Sequence, residues 1–150
     1  MTRIDFYHLQ NKPLDEVLPK LLEKAYATGK KVLLKIGNEE RVEFLNSLLW
    51  TYAEQSFLPH GSKKDGNAEL QHIWLTCNDD NPNNAELLFL VDGAKITTDK
   101  ANEFERIFNI FDGHSEEAVT NAREFWKTLK ANGNECFYWK QETNGNWLQL

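Results

Sequence analysis

Apolar residues recur along this chain with two spacings, and the spacing changes almost as soon as the chain begins. Ile4, Phe6 and His8 alternate with Asp5 and Tyr7, a two-residue period that predicts a strand at the N-terminus. Leu14, Val17, Leu18, Leu21, Leu22 and Ala25 then follow at helical spacing. Pro13, Asp15 and Glu16 stand at the start of that run and Gly29 past its end, where each is favoured. Val32, Leu33, Leu34 and Ile36 form a nearly continuous apolar run, as in a strand covered on both faces of a sheet. Asn38 is placed to cap a second helix whose first turn carries Glu39 and Glu40 and whose inner face carries Val42, Leu45, Leu48 and Leu49.

After Trp50 the pattern loosens into Phe57-Leu58-Pro59-His60, and the polar, turn-forming stretch that follows, with Gly61 and Gly66, is expected to be the most flexible part of the chain. Residues 72–76 and 87–91 predict two further strands, separated by a loop rich in Asn and Asp. A short helix is expected around residues 98–105 and a strand at 107–111. A helix capped by Ser115 is expected from about Glu116 to Ala131, and a last strand at 136–140. Strands and helices in this alternation predict one α/β domain with a mainly parallel sheet and helices on both faces, a topology of the nucleotide-binding type.

Composition agrees with a single folded domain: 150 residues are 41% hydrophobic and include nine Phe, five Trp and four Tyr. The formal charge of -6 repels a polyanion, so any role on DNA is expected to be indirect. Cys77 and Cys136 are too few for a disulfide scaffold and favour a reducing compartment. The N-terminus has no signal-peptide run, and no stretch approaches the roughly 20 apolar residues of a membrane span, so a soluble, cytoplasmic protein is expected.

Catalytic chemistry is hard to find. The first β-α turn, Leu9-Gln10-Asn11-Lys12, has no glycine to bring backbone close to a pyrophosphate, and no Gly-Lys-Ser/Thr loop occurs, so no nucleotide cofactor is expected. His8, His60, His72 and His114 are scattered, without ligand spacing. His72 and Cys77 read as a polar loop end beside a small thiol rather than as metal ligands. Asp79, Asp80 and Asp92 would need folding to gather them before they could hold magnesium. An enzyme whose site assembles only in three dimensions stays open as an alternative, as does direct binding of single-stranded DNA through Trp and Lys side chains, which the charge opposes.

Two segments look like binding surfaces. At about 100° per residue, Ala118, Ala122, Phe125 and Leu129 share one face of the helix at 116–131. Arg123, Lys127 and Lys130 form a stripe on another, bordered by Val119 and Trp126. That stripe is either a solvated face whose long side chains lie over the core or a seat for an acidic peptide with an apolar end. Trp50 with Phe57, Leu58 and Pro59 forms the second segment, which either plugs the sheet edge or anchors a protein contact.

Several short motifs, spread in order along the chain, resemble those of the chi subunit family of the bacterial DNA polymerase III holoenzyme. They are Phe6-Tyr-His-Leu9, Leu49-Trp50, Ser56-Phe-Leu-Pro-His-Gly61, Ile73-Trp-Leu75, Phe111-Asp-Gly113, Ala122-Arg-Glu124 with Trp126-Lys127, Tyr138-Trp-Lys-Gln141, and Gly145-Asn-Trp147. The resemblance implies a domain of nucleotide-binding topology with no bound nucleotide and no activity of its own. It further implies a bridge between the clamp loader, reached through the psi subunit, and the acidic, hydrophobic-ended tail of single-stranded DNA-binding protein. Arg123, Trp126 and Lys127 fall on family positions that contact the tail, and Trp50 and Phe57 in the region that contacts psi. The chain departs from the family at Val119, where some relatives carry a basic residue, and at Trp126, where Tyr is usual.

Overall fold

The computed structural model describes residues 2–52 and 58–150. The alternating N-terminal run is strand β1 (Arg3–Leu9), followed by helix α1 (Leu14–Ala27), strand β2 (Val32–Ile36) and helix α2 (Glu39–Thr51). Asn38 caps α2 as its sequence position suggested, its side chain accepting from the Arg41 amide at 2.9 Å. Strands β3 (His60–Ser62), β4 (Ile73–Thr76) and β5 (Leu87–Val91) come next, then the single turn α3 (Thr98–Ala101) and strand β6 (Arg106–Asp112). Helix α4 (Glu116–Ala131) and strands β7 (Glu135–Gln141) and β8 (Trp147–Gln149) complete the chain.

The strands form one sheet in the order β3-β4-β2-β5-β6-β1-β7-β8. Every pairing is parallel except β7 with β8. Two cores lie on its two faces because successive strand residues point opposite ways. Tyr7, Leu34, Phe89 and Phe108 meet α1 and α2 on one face. Ile4, Phe6, Leu33, Leu88 and Ile107 meet α3 and α4 on the other. No described helix is long and apolar enough to cross a membrane.

Three expectations change. The stretch read as a flexible loop from residue 61 begins inside β3, where His60 and Ser62 are buried and the Asp65 carboxylate accepts from the Ser62 amide (3.0 Å) and the Asn46 side chain (2.8 Å). Those bonds hold Asp65 below the ordinary carboxylate pKa, the Ser62 amide contributing most. The helix expected at 98–105 is one turn, and β8 adds an antiparallel edge after a turn in which Gly145 takes φ +87°. At the end of β6, Gly113 admits close approach: a Cβ there would lie 2.1 Å from His8 Nε2 and 2.4 Å from the Leu9 carbonyl oxygen.

Candidate functional site

Helix α4 forms where Ser115 caps the Ala118 amide at 3.2 Å and Glu116 and Glu117 face the positive end of the dipole. Ala122 and Leu129 are buried on the sheet, and Ala118, Val119, Phe125 and Trp126 are half-buried beside them. Two flanks remain. Glu117, Asn121, Glu124 and Thr128 line a crevice beyond the carboxyl ends of β1, β5 and β6. The opposite flank carries Arg123, Lys127 and Lys130, all exposed, so the stripe read from the sequence is a contiguous surface.

Aromatic packing fixes which way that flank faces. The Trp126 ring meets Phe6 of β1 at 5.2 Å and Tyr138 of β7 at 6.1 Å, both edge-on, and Lys130 Nζ sits 5.5 Å from its centre. Arg123 is near enough to Tyr138 and His8 to act on both electrostatically. Burial pushes the Tyr138 phenol up, with Arg123 opposing the shift. His8 shares a hydrogen bond with the Tyr138 hydroxyl through Nδ1, while its buried Nε2 finds no partner among the described residues. Burial, then the charges of Lys140, His114 and Arg123, hold its pKa below 6.5. Among the described residues no carboxylate lies within 4.0 Å of Arg123, Lys127, Lys130 or Lys140, whereas Arg3, Arg41 and Arg106 all carry ion pairs.

The second segment is divided by the structure. Trp50 is 47% exposed, its ring 4.1 Å from that of His60, and Pro59 is half-buried. Leu58, expected among the surface anchors, is 2% exposed in the core under α1 and α2, so its side chain plugs the sheet edge. Phe57 lies outside the described residues. Phe44, not singled out from the sequence, is 49% exposed with the Arg41 guanidinium 4.8 Å from its ring; its position off the apolar face of α2 was the signal.

The crevice, of about 1150 Å³, occupies the place where doubly wound sheets hold ligands. Its first β-α turn presents the backbone amides of Gln10, Asn11 and Lys12 to a single acceptor, at 3.2, 2.9 and 2.9 Å. That acceptor is Oε1 of Gln141, a buried side chain from β7. Donors that could cradle an anion are thus committed to the protein itself. Arg41 at the same mouth is held by Asp15 and Asp92, each at 2.9 Å. Asp79 pairs instead with Lys35, so folding sends these two acids of the considered Asp79, Asp80 and Asp92 set to separate cations. Among the described residues no three His, Cys, Asp or Glu side chains are gathered to hold a metal. Cys77 lies 3.0 Å from a Glu39 oxygen and His72 stacks edge-on against Tyr26.

A family model described as "DNA polymerase III chi subunit, HolC" matches residues 1–136. A Rickettsia prowazekii (strain Madrid E) protein named "Probable DNA polymerase III subunit chi" is 33% identical over a 157-residue alignment that covers 100% of this chain and 93% of the relative. A Pseudomonas aeruginosa protein named "DNA polymerase III subunit chi" is 33% identical over 63 residues, 40% of this chain and 44% of that one.

Proposed function

The chain belongs to the DNA polymerase III chi subunit family, accessory subunits of the replicative polymerase, and from that premise we propose that it is a non-catalytic cytoplasmic adaptor. In this reading the basic flank of α4 binds the acidic C-terminal tail of single-stranded DNA-binding protein, and Trp50, Phe57 and Pro59 join a psi subunit of the clamp loader. The observation that carries it is the cluster of cations with no described carboxylate partner, Arg123, Lys127 and Lys130, beside the half-buried Trp126 and Val119, in a chain of net charge -6. Carboxylates of a peptide would neutralise that flank, and its apolar end would cover Trp126. The same net charge makes contact with DNA indirect.

The guanidinium of Arg123 is the discriminating group, because its planar fork can hold a terminal carboxylate through two parallel bonds, whereas Lys127 and Lys130 act as point charges. Calorimetric titration with the tail peptide at two ionic strengths tests this. Arg123→Ala is expected to weaken binding roughly ten- to a hundredfold, and salt to weaken the wild type. Equal binding by Arg123→Ala, or by a peptide lacking its last residues, would show that the tail site lies elsewhere. For the psi contact, Trp50→Ala is expected to reduce co-purification with the clamp loader while the melting temperature is kept; undiminished co-purification would remove Trp50 from that interface.

A further inference from the structure

The crevice beyond β1, β5 and β6 offers little to an anion, yet acceptors stand around it without partners. Of the cations at its mouth, Arg41 is spent on Asp15 and Asp92, and Lys12 lies along the β7–β8 turn, its Nζ 3.3 Å from where a Cβ of Gly145 would stand. The His114 ring turns to the Gln10 carbonyl oxygen at 2.6 Å. Lys95 is then the remaining Lys or Arg facing Asp112, Glu117 and Glu124, and among the described residues none of these three carboxylates has a Lys, Arg or His nitrogen within 4.0 Å. Glu117, Asn121 and Glu124 follow one another at i, i+4 and i+7 on one flank of α4, a row about 10 Å long.

A second observation lies in the sheet below that row. Asn109 of β6 pairs in register with Leu90 of β5 and Phe6 of β1, an amide in an otherwise apolar row, and it is half-buried on the wall of the crevice. Among the described residues its side chain makes no hydrogen bond, whereas amides packed against a sheet are ordinarily paired. Such a group costs packing, which a hydrogen bond from a guest offsets. Half-buried Ile96, Ala118 and Phe125 supply apolar surface between Asn109 and the carboxylates. We infer that this crevice, of about 1150 Å³, binds a linear polyamine. Its ammonium groups meet Glu117, Glu124 and Asp112, its methylene spacers lie on Ile96, Ala118 and Phe125, and one amine donates to the Asn109 oxygen. An extended triamine with three- and four-carbon spacers covers the row on α4. Other guests fit less well: a nucleotide would meet free carboxylates and amides already bound to Gln141, and a metal ion finds no three acids gathered among the described residues and leaves the apolar wall uncovered. The site lies on the flank of α4 opposite Arg123 and shares no residue with the surface proposed for the tail.

The test is calorimetric titration of the full chain with spermidine, repeated in magnesium chloride at matched ionic strength. Saturable binding that magnesium does not displace is expected, and NMR amide shifts on adding spermidine should gather on α4 between Glu117 and Glu124 and on β6 around Asn109. Glu117→Gln combined with Glu124→Gln changes two exposed side chains, so the melting temperature should stay near the wild type while binding weakens roughly tenfold. Asn109→Leu, which matches its apolar neighbours, should keep or raise the melting temperature and weaken binding roughly threefold. Displacement by magnesium, or wild-type binding by the double variant, would reveal only a diffuse attraction to a chain of net charge -6 and overturn the site. Wild-type binding by Asn109→Leu would leave the amine on the exposed carboxylates, outside the crevice, and overturn it as well. No readout here involves the tail peptide, so the adaptor reading stands or falls separately.

Discussion

The two faces of β1 carry charge in opposite ways. Toward α1, the fully buried Asp5 carboxylate accepts from Arg3 (3.2 and 3.1 Å), Arg106 (2.7 Å) and Trp139 Nε1 (3.0 Å), and the two guanidinium groups lie over Phe137 and Phe108. Each of these three charged groups has a partner within the chain. Toward α4, the aromatic packing of Phe6, Trp126 and Tyr138 is equally complete, but the cations above it have no described carboxylate. A closed cluster holds strands together and has nothing left to offer a partner. An open one adds little to folding, and its charges can still be neutralised from outside. The same residue types thus do different work according to whether the anion is supplied within the chain.

The largest effect that would break this contrast is expected at Asp5. Asp5→Ala leaves two partly solvated guanidinium groups and the Trp139 N–H without their acceptor, and should lower the unfolding free energy by about 2 kcal/mol in urea titration. Arg123→Ala should stay within about 0.5 kcal/mol of wild type in the same measurement. Equal stabilities for the two variants would mean that the Asp5 cluster is no more than a surface ion pair.

A smaller effect sharpens the contrast through pH. Burial pushes Asp5 up, but hydrogen bonds from Arg3, Arg106 and Trp139 outweigh it and leave its pKa below 3.8. The stability it contributes is present above that ordinary value and is lost as pH falls through the lowered one. His8 also titrates below its ordinary 6.5, so the unfolded chain takes up this proton first. Stability should therefore begin to fall as pH drops below about 6.5, and His8→Gln should flatten that part of the curve. Chemical denaturation between pH 7.5 and 5 checks it; an unchanged slope in His8→Gln would assign the decline to other groups. The bound acidic peptide should raise the His8 pKa, visible as a shift of its ring protons in an NMR titration.

Much of this molecule is local and was legible as such. Helices α1, α2 and α4, with the caps Asn38 and Ser115, follow from apolar spacing and cap chemistry within one element, and the half-buried border of Val119 and Trp126 beside Arg123 follows from the same 3.6-residue period. Strands β1, β2, β5 and β7 show in their runs of apolar or alternating residues.

What the tertiary structure alone decided is which distant residues meet. Edge strands β3 and β8 are three residues long, too short for any period to register, and exist because β4 and β7 offer them an edge. Leu58 could be read from the sequence as a surface anchor or as an edge plug, and it is core because it packs with the residues of α1 and α2. Gln141 reaches the amides of Gln10, Asn11 and Lys12 across about 130 residues, filling the turn whose missing glycine was the only clue in the sequence. Lys140 comes beside His8 and Leu148 only through strand register and the antiparallel return of β8. Periodicity reports burial within one element. Which face of which neighbour closes that surface, and which charges then lack a partner, depends on packing in three dimensions.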